Sequence, residues 1–360
     1  MYDPERPIRE IGERGLLQHL RSRIPEGPGV TAGVGDDAAV VDTGPLTLVT
    51  TDVLVEGVHF RRSWSPPRLL GRKALSVNLS DIAAMAGVPR YATVSLCLPP
   101  ALPLSFVDGL YDGLLERSAE TGVNLVGGNL AASPGGVVIN VTLLGQGDRI
   151  LLRSGAQPGD LAVVSGTLGA AAEGLRLLVQ GARLGAEGLL EETGVWTASS
   201  AAALLRCLRA QLDPVPPLAF GRSLSEREVV HAAIDVSDGL SGDLLHLCRE
   251  SGLAAWIDPA KVPVDPLAAG LERARGGDAL RLALHGGEDY ELLLAVPPDR
   301  LDTLRDLAVI WDLPLSVVGE FTVGEPGVSL KTARGLEPLA ALAHDHFGVA
   351  TAEADSSREA

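Results

Sequence analysis

Strand-like and helix-like segments alternate along the 360 residues of this chain, which restricts it to folds that combine sheets with helices. The segment YATVSLCLP at residues 91–99 is typical of a strand, whereas the apolar spacing in RLLGRKALSVNLSDIAAMAG at residues 68–87 predicts a helix. The alternation is irregular, and no unit repeats at the period of a solenoid. We therefore expect an α/β or α+β fold with two lobes that meet near residue 150.

Length and composition support two domains rather than one. A chain of 360 residues is longer than most single domains, and its 46% hydrophobic content and mean hydropathy of +0.20 supply enough apolar side chains for two cores. We expect an N-terminal domain over residues 1–149, with an amphipathic helix at residues 8–24. A C-terminal domain over residues 150–347 and a polar, disordered tail over residues 348–360 complete the expected organisation.

The chain is acidic, with a formal net charge of −16. Proteins that bind duplex nucleic acid normally present a basic face, so a nucleic-acid partner is not expected. An anionic substrate could still bind if metal ions or local Arg and Lys side chains offset the repulsion. Most of the acidic side chains form a solvated surface in this interpretation, and a minority gather to hold a divalent metal.

The cysteines and the N-terminus predict a cytoplasmic protein without a membrane partner. Cys97, Cys207 and Cys248 lie far apart and form no CxxC pair, which argues against disulfides and zinc. The first residues, MYDPERPIREIGERG, are charged and lack the apolar core of a signal peptide. No apolar run approaches the ~20 residues that span a bilayer.

The common phosphate-binding loops are absent from this sequence. It contains no G-x-x-x-x-G-K-[ST], and neither GVGDDA nor GGNLAA is a G-x-G-x-x-G that opens a helix. Gly166 and Gly169 lie in a strand-to-helix turn whose backbone N–H groups could receive phosphate, although close packing of the turn is the more ordinary explanation. Neither a P-loop nor a Rossmann fold is supported.

Acidic residues instead recur beside small polar residues at the ends of apolar segments. Mg²⁺ prefers hard oxygen ligands and retains several waters, so carboxylates and hydroxyls on separate loops suit it, with nucleotide phosphates completing the coordination. Each aspartate alone has an ordinary alternative as a helix cap or turn residue, above all Asp81 and Asp238. The candidate carboxylates are Asp36, Asp37, Asp52, Asp81, Asp235, Asp238, Glu288 and Asp289.

Four other polar residues each have an ordinary structural explanation as well as a functional one. Arg153 lies beside a turn and could contact phosphate, but an isolated arginine is more often a surface residue. His59 follows a strand-like stretch and could be a core histidine. Arg72 and Lys73 lie on a helix, where the default expectation is that they are solvated charges.

Taken in order, these segments resemble the bacterial thiamine-monophosphate kinase family. The resemblance runs from GERGLL near residue 12 to DHF at residues 345–347, and single motifs are shared with a wider synthetase superfamily. The motifs are GDDAAV (35–40), TTDVLVEGVHF (50–60), GRKALSVNLSDIAAMAG (71–87), VGG (126–128), R-x-GA-x-PGD (153–160), SGTLGAAAEGL (165–175), DVSDGL (235–240) and GGEDYEL (286–292).

The resemblance implies a two-lobed, synthetase-like fold. The N-terminal lobe would bind ATP and metal and would form a β-barrel that spans a homodimer, and the C-terminal lobe would be α/β. It also implies an ATP-dependent phosphotransferase that uses a phosphate group as acceptor and converts thiamine monophosphate to thiamine diphosphate. Several Mg²⁺ ions would be the cofactors.

Site residues follow from the motif match, position by position. Gly128, Asn129, Arg153 and Ser237 would contact ATP, and His59, Glu288 and His344 would contact thiamine phosphate. The metal ligands would be Asp36, Thr50, Thr51, Asp52, Asp81, Asn129, Asp235 and Asp238. Two positions depart from the family: Asn129 stands where many members have a carboxylate, and His344 stands where an aromatic residue often precedes DHF.

Charge alone suggests how such an enzyme would work. A phosphate monoester has a second pKa of about 6, so the acceptor is largely dianionic at neutral pH and needs no general base. We therefore expect direct in-line transfer, with no residue acting as nucleophile or base. The alternatives are another ATP-dependent synthetase of the superfamily and a non-catalytic nucleotide-binding module. No cysteine precedes Cys97 and the chain ends in Ala360, features that favour the kinase over cysteine-dependent relatives.

Overall fold

The structure is a computed structural model that describes residues 30–32, 39–42, 46–185, 187–191 and 201–340. Its two halves are each built on one mixed sheet, so the expectation of an α+β fold is confirmed. The predicted helix at residues 8–24 and the tail at residues 348–360 lie outside the described residues. None of the helices in the described ranges is long and apolar enough to cross a membrane.

The N-terminal half contains a six-stranded sheet in the order β1-β2-β3-β6-β4-β5. All neighbours are antiparallel except β4 and β5, which run parallel and are joined by a helix. The strands are β1 (Val30–Ala32), β2 (Ala39–Asp42), β3 (Leu46–Val55), β4 (Val88–Leu98), β5 (Asn124–Ala132) and β6 (Val138–Gly147).

Helices α1 (Pro67–Ala84) and α2 (Leu104–Thr121) cover one face of this sheet. Alternate residues of β3, β4 and β6 point toward the helices, as in Leu48, Val94 and Ile139, which are fully or almost fully buried. The side chains of the opposite face are partly or fully exposed, among them Val53 and Tyr91. One face of the sheet therefore holds the core, and the other has no cover within the described part of the chain.

The C-terminal half contains a seven-stranded sheet in the order β13-β12-β9-β11-β7-β10-β8, in which only β12 and β9 run parallel. Its strands are β7 (Leu161–Ser165), β8 (Ala232–Val236), β9 (Ala254–Ile257), β10 (Glu291–Val296), β11 (Leu315–Thr322), β12 (Gly327–Thr332) and β13 (Gly335–Pro338). Its helices are α3 (Ala170–Val179), α4 (Ala201–Leu212), α5 (Leu218–Ser223), α6 (Leu240–Ser251), α7 (Pro266–Ala274), α8 (Ala279–His285) and α9 (Leu301–Ile310).

Helix α1 joins the two halves. Ala83 and Ala84, in its last turn, belong to a cluster of buried side chains that also includes Val163 of β7, Phe220 of α5 and Leu292 of β10. The same helix contacts β3 of the first sheet and β8 of the second. Residues near its C-terminal end therefore face both sheets, and this position brings the candidate carboxylates together.

The default expectation that Arg72 and Lys73 are solvated is wrong. Lys73 is only 3% exposed, and the Arg72 side chain is 14% exposed. Arg72 Nε lies 2.9 Å from Asp213 Oδ1 and Arg72 Nη1 lies 2.8 Å from Glu120 Oε1, so its charge is paired across the two halves. Both residues lie on the face of α1 that packs against neighbouring elements, where a cation requires partners.

Candidate active site

Three aspartates from three separate elements meet where the two sheets face each other. Asp52 lies on β3, Asp81 lies in the last turn of α1, and Asp235 lies on β8 and is buried. The carboxyl groups of Asp52 and Asp81 are within hydrogen-bonding reach of each other, and the charge of Asp235 acts on both. Residues that are far apart in the sequence thus form one acidic cluster.

Hydroxyl groups hold this cluster in place. Thr50 Oγ1 donates a hydrogen bond to Asp81 Oδ2 at 2.5 Å, and Ser80 Oγ donates to Asp235 Oδ2 at 2.7 Å. Thr50 and Asp52 are two residues apart on β3, so both side chains lie on the core-facing side of the strand. Strand periodicity and the position of α1 together fix the geometry of the cluster.

The cluster has too little positive charge to balance its carboxylates. Burial and, to a smaller extent, the charge of Asp235 together raise the pKa of Asp52 to about 6. Burial raises the pKa of Asp81 well above its ordinary value, and the charges of Asp52 and Asp235 act in the same direction. A cation that binds between these carboxylates would relieve both the loss of solvent and the mutual repulsion.

Helix capping does not explain Asp81, and the N-cap position next to Asp238 is taken by another residue, although Asp238 does lie in a bend before α6. Asp81 lies inside α1, and the residue that caps α6 is Gly239, without a capping side chain of its own. The N-terminus of α6 is instead served by Asp243, whose Oδ2 accepts from the backbone N–H groups of Asp238 at 3.2 Å and Gly239 at 3.0 Å. Sequence analysis missed Asp243, although an acidic residue in the first helical turn was a usable signal.

Arg153 and Ser237 lie beside the same cluster. The positive charge of Arg153 lowers the pKa values of both Asp235 and Asp243, against the larger opposing effect of burial. Ser237 Oγ donates a long hydrogen bond of 3.5 Å to Asp235 Oδ1. Arg153 and Ser237, two of the four residues that the motif match assigns to ATP, are therefore neighbours of the acidic cluster.

A strained loop closes the cluster on one side. Glu288 and Tyr290 both have positive φ angles, of 67° and 52°, which side chains other than glycine rarely adopt. The loop is held there because the N–H of Glu288 donates to Ser237 O at 2.7 Å and the N–H of Tyr290 donates to Val236 O at 2.9 Å. Such strain is typical of functional loops.

Tyr290 is a buried member of the site that sequence analysis missed. Burial raises the pKa of Tyr290 well above its ordinary value, and the charges of Glu288 and Asp52 act in the same direction. Its phenol is therefore neutral and surrounded by carboxylates. Its place in the motif GGEDYEL was the one available signal. The motif itself does not show whether the tyrosine is buried or exposed.

His59 lines a small pocket, and Glu288 contacts residues that line it. His59 follows β3, and its Nδ1 accepts a hydrogen bond of 3.0 Å from the N–H of Val55. Together with Trp64, Lys73 and Gln211 it lines the pocket. Lys73 Nζ lies 2.6 Å from Glu288 Oε1, so two of the three residues assigned to the substrate border the same region.

Asp289 has a structural role rather than a place in the metal cluster. Its carboxylate accepts from the N–H groups of Gly169 at 2.7 Å and Ala171 at 3.2 Å, at the start of α3. These N–H groups are therefore occupied, and the ordinary explanation of the SGTLG turn holds. Burial raises the pKa of Asp289 to about 7, against these two hydrogen bonds.

Thr51, Gly128 and Asn129 lie elsewhere on the N-terminal sheet. Thr51 is on the face of β3 opposite to Asp52, and its Oγ1 lies 3.0 Å from Thr142 Oγ1. Gly128 and Asn129 are exposed on the edge strand β5. The structure does not bring their side chains into the acidic cluster. Asp36, Asp37 and His344 lie outside the described residues.

No three His, Cys, Asp or Glu side chains within the described ranges form a complete metal site by themselves. Mg²⁺ is nevertheless commonly held by one or two carboxylates together with water and substrate phosphates. Asp235 is buried, whereas Asp52 and Asp81 remain partly exposed, so the cluster fits a metal that substrate helps to coordinate and does not fit a preformed protein cage.

A larger cavity lies at the opposite end of β7, β8 and β10. Arg149, Asp160, His231 and Arg300 are among its lining residues, and none of the candidate site residues lines it. His231 Nδ1 lies 2.8 Å from the buried Asp160 Oδ2. The cavity is thus separate from the acidic cluster, although it is the more open of the two.

Comparison with known proteins gives matches along both halves. The family model for the AIR synthase related protein, N-terminal domain, matches residues 35–146, and the model for the C-terminal domain matches residues 157–331. Thiamine-monophosphate kinase of Aquifex aeolicus (strain VF5) is 35% identical over 306 residues, which cover 84% of this chain and 92% of the relative. Thiamine-monophosphate kinase of Synechococcus elongatus is 35% identical over 344 residues, which cover 93% of this chain and 96% of the relative.

A solved structure agrees with these sequence matches. The structure of AaThiL complexed with AMPPCP and TMP superimposes with a TM-score of 0.82 at 31% identity, and the match covers 96% of this chain and all of the other. The mixed sheets described above are therefore those of the AIR synthase-like fold. On this sequence and structural similarity, the chain belongs to the thiamine-monophosphate kinase family.

Proposed function

We propose that this protein transfers the γ-phosphoryl group of ATP to thiamine monophosphate, producing ADP and thiamine diphosphate. The observation that carries the proposal is the likeness, over nearly the whole chain, to a structure that holds an ATP analogue together with TMP. The acidic cluster supports it, because a reaction between two phosphate groups requires cations and this cluster attracts them.

We infer that the cofactor is Mg²⁺, as several ions. Asp52, Asp81 and Asp235, with the hydroxyl of Thr50, supply the hard oxygen atoms that this ion prefers, and Asp238 lies next to them. For Asp36, Thr51 and Asn129 the proposal rests on the motif match alone. Asn129 offers a neutral oxygen in place of a carboxylate, so its position would bind the metal more weakly.

The charges of the two substrates explain what the protein must do. Two unit charges 4 Å apart repel each other by about 4 kcal/mol at an effective dielectric of 20, and donor and acceptor phosphates present several such pairs. Divalent metal held by the carboxylates would supply the neutralising charge. The side chains would orient the two phosphates in line, and Arg153 adds a fixed cation beside the cluster. No side chain is needed as nucleophile or base.

The remaining contacts follow the motifs. Gly128, Asn129, Arg153 and Ser237 would bind ATP, and His59, Glu288 and His344 would bind the thiamine phosphate. Arg153, Ser237, His59 and Glu288 border the acidic cluster or its adjoining pocket, which supports their assignment.

We also propose a homodimer whose N-terminal sheets combine into a barrel across the subunits. The uncovered face of the N-terminal sheet and the exposed Val126 and Leu130 on edge strand β5 support this surface. Sedimentation equilibrium at micromolar concentration should give twice the chain mass of 37.4 kDa. A monomer under those conditions would contradict the proposal.

The domain boundaries and the location in the cell are proposals as well. The two sheets and the two matching family models support an N-terminal domain over residues 1–149 and a C-terminal domain over residues 150–347. The three widely spaced cysteines, which form no CxxC pair, support a cytoplasmic protein. Cell fractionation that recovers the native protein outside the cytoplasm would contradict this.

One assay tests the reaction. The purified protein should release ADP when ATP, Mg²⁺ and thiamine monophosphate are all present, and thiamine should not replace its phosphate ester because it lacks the accepting phosphate. Excess EDTA should abolish release, and added Mg²⁺ should restore it. Equal turnover in EDTA would disprove the metal mechanism, and ATP binding without acceptor-dependent ADP release would favour a non-catalytic module.

A further inference from the structure

Lys73 is a buried cation in a position that sequence analysis assigned to the surface. It lies on α1 and is only 3% exposed. A buried lysine is costly unless its ammonium group is paired and hydrogen-bonded. The groups that pair with the Lys73 ammonium therefore indicate its role in the structure.

Both residues that contact the Lys73 ammonium group belong to one network around the Glu288 carboxylate. Its Nζ lies 2.6 Å from Glu288 Oε1 and donates a hydrogen bond of 2.9 Å to the backbone oxygen of Gln211. The side chain of Gln211 in turn donates from Nε2 to Glu288 Oε2. Each oxygen of the Glu288 carboxylate is thus held by a different donor, one from α1 and one from α4.

The orientation of the Gln211 amide serves Glu288. Its other atom, Oε1, is buried and has no hydrogen-bond partner within the described part of the chain. An unpaired buried acceptor is unfavourable. The observed orientation of the amide therefore leaves one hydrogen-bonding atom of Gln211 without a partner while it supplies a donor to Glu288. Because a carboxylate only accepts hydrogen bonds, the amide must point its nitrogen at Glu288.

The same contacts tie Glu288 to the acidic cluster. Lys73 lies two turns before Ser80 and Asp81 on one helix, and the N–H of Glu288 is bonded to Ser237 O. A rigid helix therefore sets the distance between the cluster and the Glu288 carboxylate. The Glu288 side chain remains 27% exposed, which leaves one side of the carboxylate open to a ligand.

We propose that Lys73 and Gln211 are positioning residues that hold the Glu288 carboxylate as a hydrogen-bond acceptor for the exocyclic amino group of the substrate's aminopyrimidine ring. This rests on the proposed function. Two of the roughly four acceptor positions of a carboxylate are occupied by Lys73 and Gln211, so the open ones can take a donor from the ligand. An oxo group at the same ring position would meet the carboxylate as a second acceptor and would be rejected.

The test compares Lys73→Met with the unaltered protein in steady-state kinetics. The substitution keeps the length and apolar character of the side chain and removes the ammonium group. KM for thiamine monophosphate is expected to rise about ten- to a hundredfold, as for the loss of a buried charged hydrogen bond. KM for ATP should stay within about twofold, because a general loss of structure would affect both substrates.

Analogue discrimination provides a second readout. The unaltered protein should use thiamine monophosphate at least about tenfold better, in kcat/KM, than the 4-oxo analogue oxythiamine monophosphate. Lys73→Met should reduce that ratio toward one, and Lys73→Arg should retain part of it. Equal use of both analogues by the unaltered protein would overturn the inference while leaving the proposed kinase intact.

Two further variants keep the test decisive. Leu75→Met changes a buried core residue of α1 that does not line the pocket and does not touch the ion pair, and both KM values should be unchanged. If Lys73→Met does not fold, Lys73→Met combined with Glu288→Gln removes both charges, and its KM should equal that of Glu288→Gln alone. A KM for the double variant well above that of Glu288→Gln would overturn the positioning role. Absence of ADP release from the unaltered protein would instead reject the proposed function itself.

Discussion

Replacing Asp81 with asparagine is expected to lower turnover by at least about a hundred- to a thousandfold, the range seen when one preorganised electrostatic contact is removed from an active site. Asp81 lies in the centre of the acidic cluster, where it accepts from Thr50 and faces Asp52 and Asp235. The melting temperature should stay the same or rise, because a neutral amide relieves the repulsion between neighbouring carboxylates. Kinetics and thermal unfolding of the same preparation measure both effects.

Asp160→Asn is the matched control for that substitution. Asp160 is a buried aspartate, but it pairs with His231 at the opposite end of the C-terminal strands. Its replacement should lower the melting temperature and leave turnover of the folded protein within about twofold, the reverse of the Asp81 result. If Asp81→Asn lost stability while its folded fraction kept normal turnover, Asp81 would be a structural residue and the metal site would be misassigned.

Replacing Gly113 with alanine is expected to destabilise the protein by about 3 kcal/mol or more, at the upper end of the cost of overpacking. Helices α1 and α2 cross at Gly71 and Gly113. A Cβ atom on Gly113 would lie 1.8 Å from the backbone oxygen of Arg68, and one on Gly71 would lie 1.9 Å from that of Leu110. Backbone atoms cannot move aside as a flexible side chain can, so α1 would have to shift. Chemical denaturation gives the change in unfolding free energy.

The consequence for catalysis makes this prediction informative. Since α1 carries Ser80 and Asp81, a shift of the helix should reduce turnover even in molecules that remain folded. Gly270→Ala is the control, because this glycine also lies in a helix but has open space around its Cβ position. Alanine there should leave turnover unchanged and stabilise the protein by up to about 1 kcal/mol. Equal stability changes for the two variants would show that helix propensity, rather than the crossing of α1 and α2, dominates.

Local sequence patterns were sufficient for the main elements. The periodicity of residues 68–87 predicted a helix that the structure places at Pro67–Ala84, and YATVSLCLP is part of β4. The sequence also identified Asp52, Asp81 and Asp235 as candidate carboxylates, but the structure places them inside β3, α1 and β8 rather than on separate loops. The predictions of the elements succeed because hydrophobic spacing and turn residues act over a few positions of the chain.

The partners of charged side chains could not be obtained in this way. The sequence predicted that Lys73 and Arg72 are surface residues on a helix. They are buried because α1 packs against both halves of the protein. Asp289 read as a metal candidate, but the start of α3 takes its carboxylate. Thr51 and Thr50 are neighbours in the sequence, yet the pleat of β3 sends them to opposite faces.

The sequence by itself determined the α+β class, the two halves, the family and the set of acidic residues available for metal. Only the tertiary structure decided which of those residues converge, that Tyr290 and Asp243 join them, and that Lys73 and Gln211 hold Glu288. The physical reason is the distance along the chain over which each kind of interaction acts. Propensity and periodicity are properties of neighbouring residues, whereas burial, repulsion and ion pairing depend on groups that are distant in the chain and meet only when the two sheets and α1 have packed.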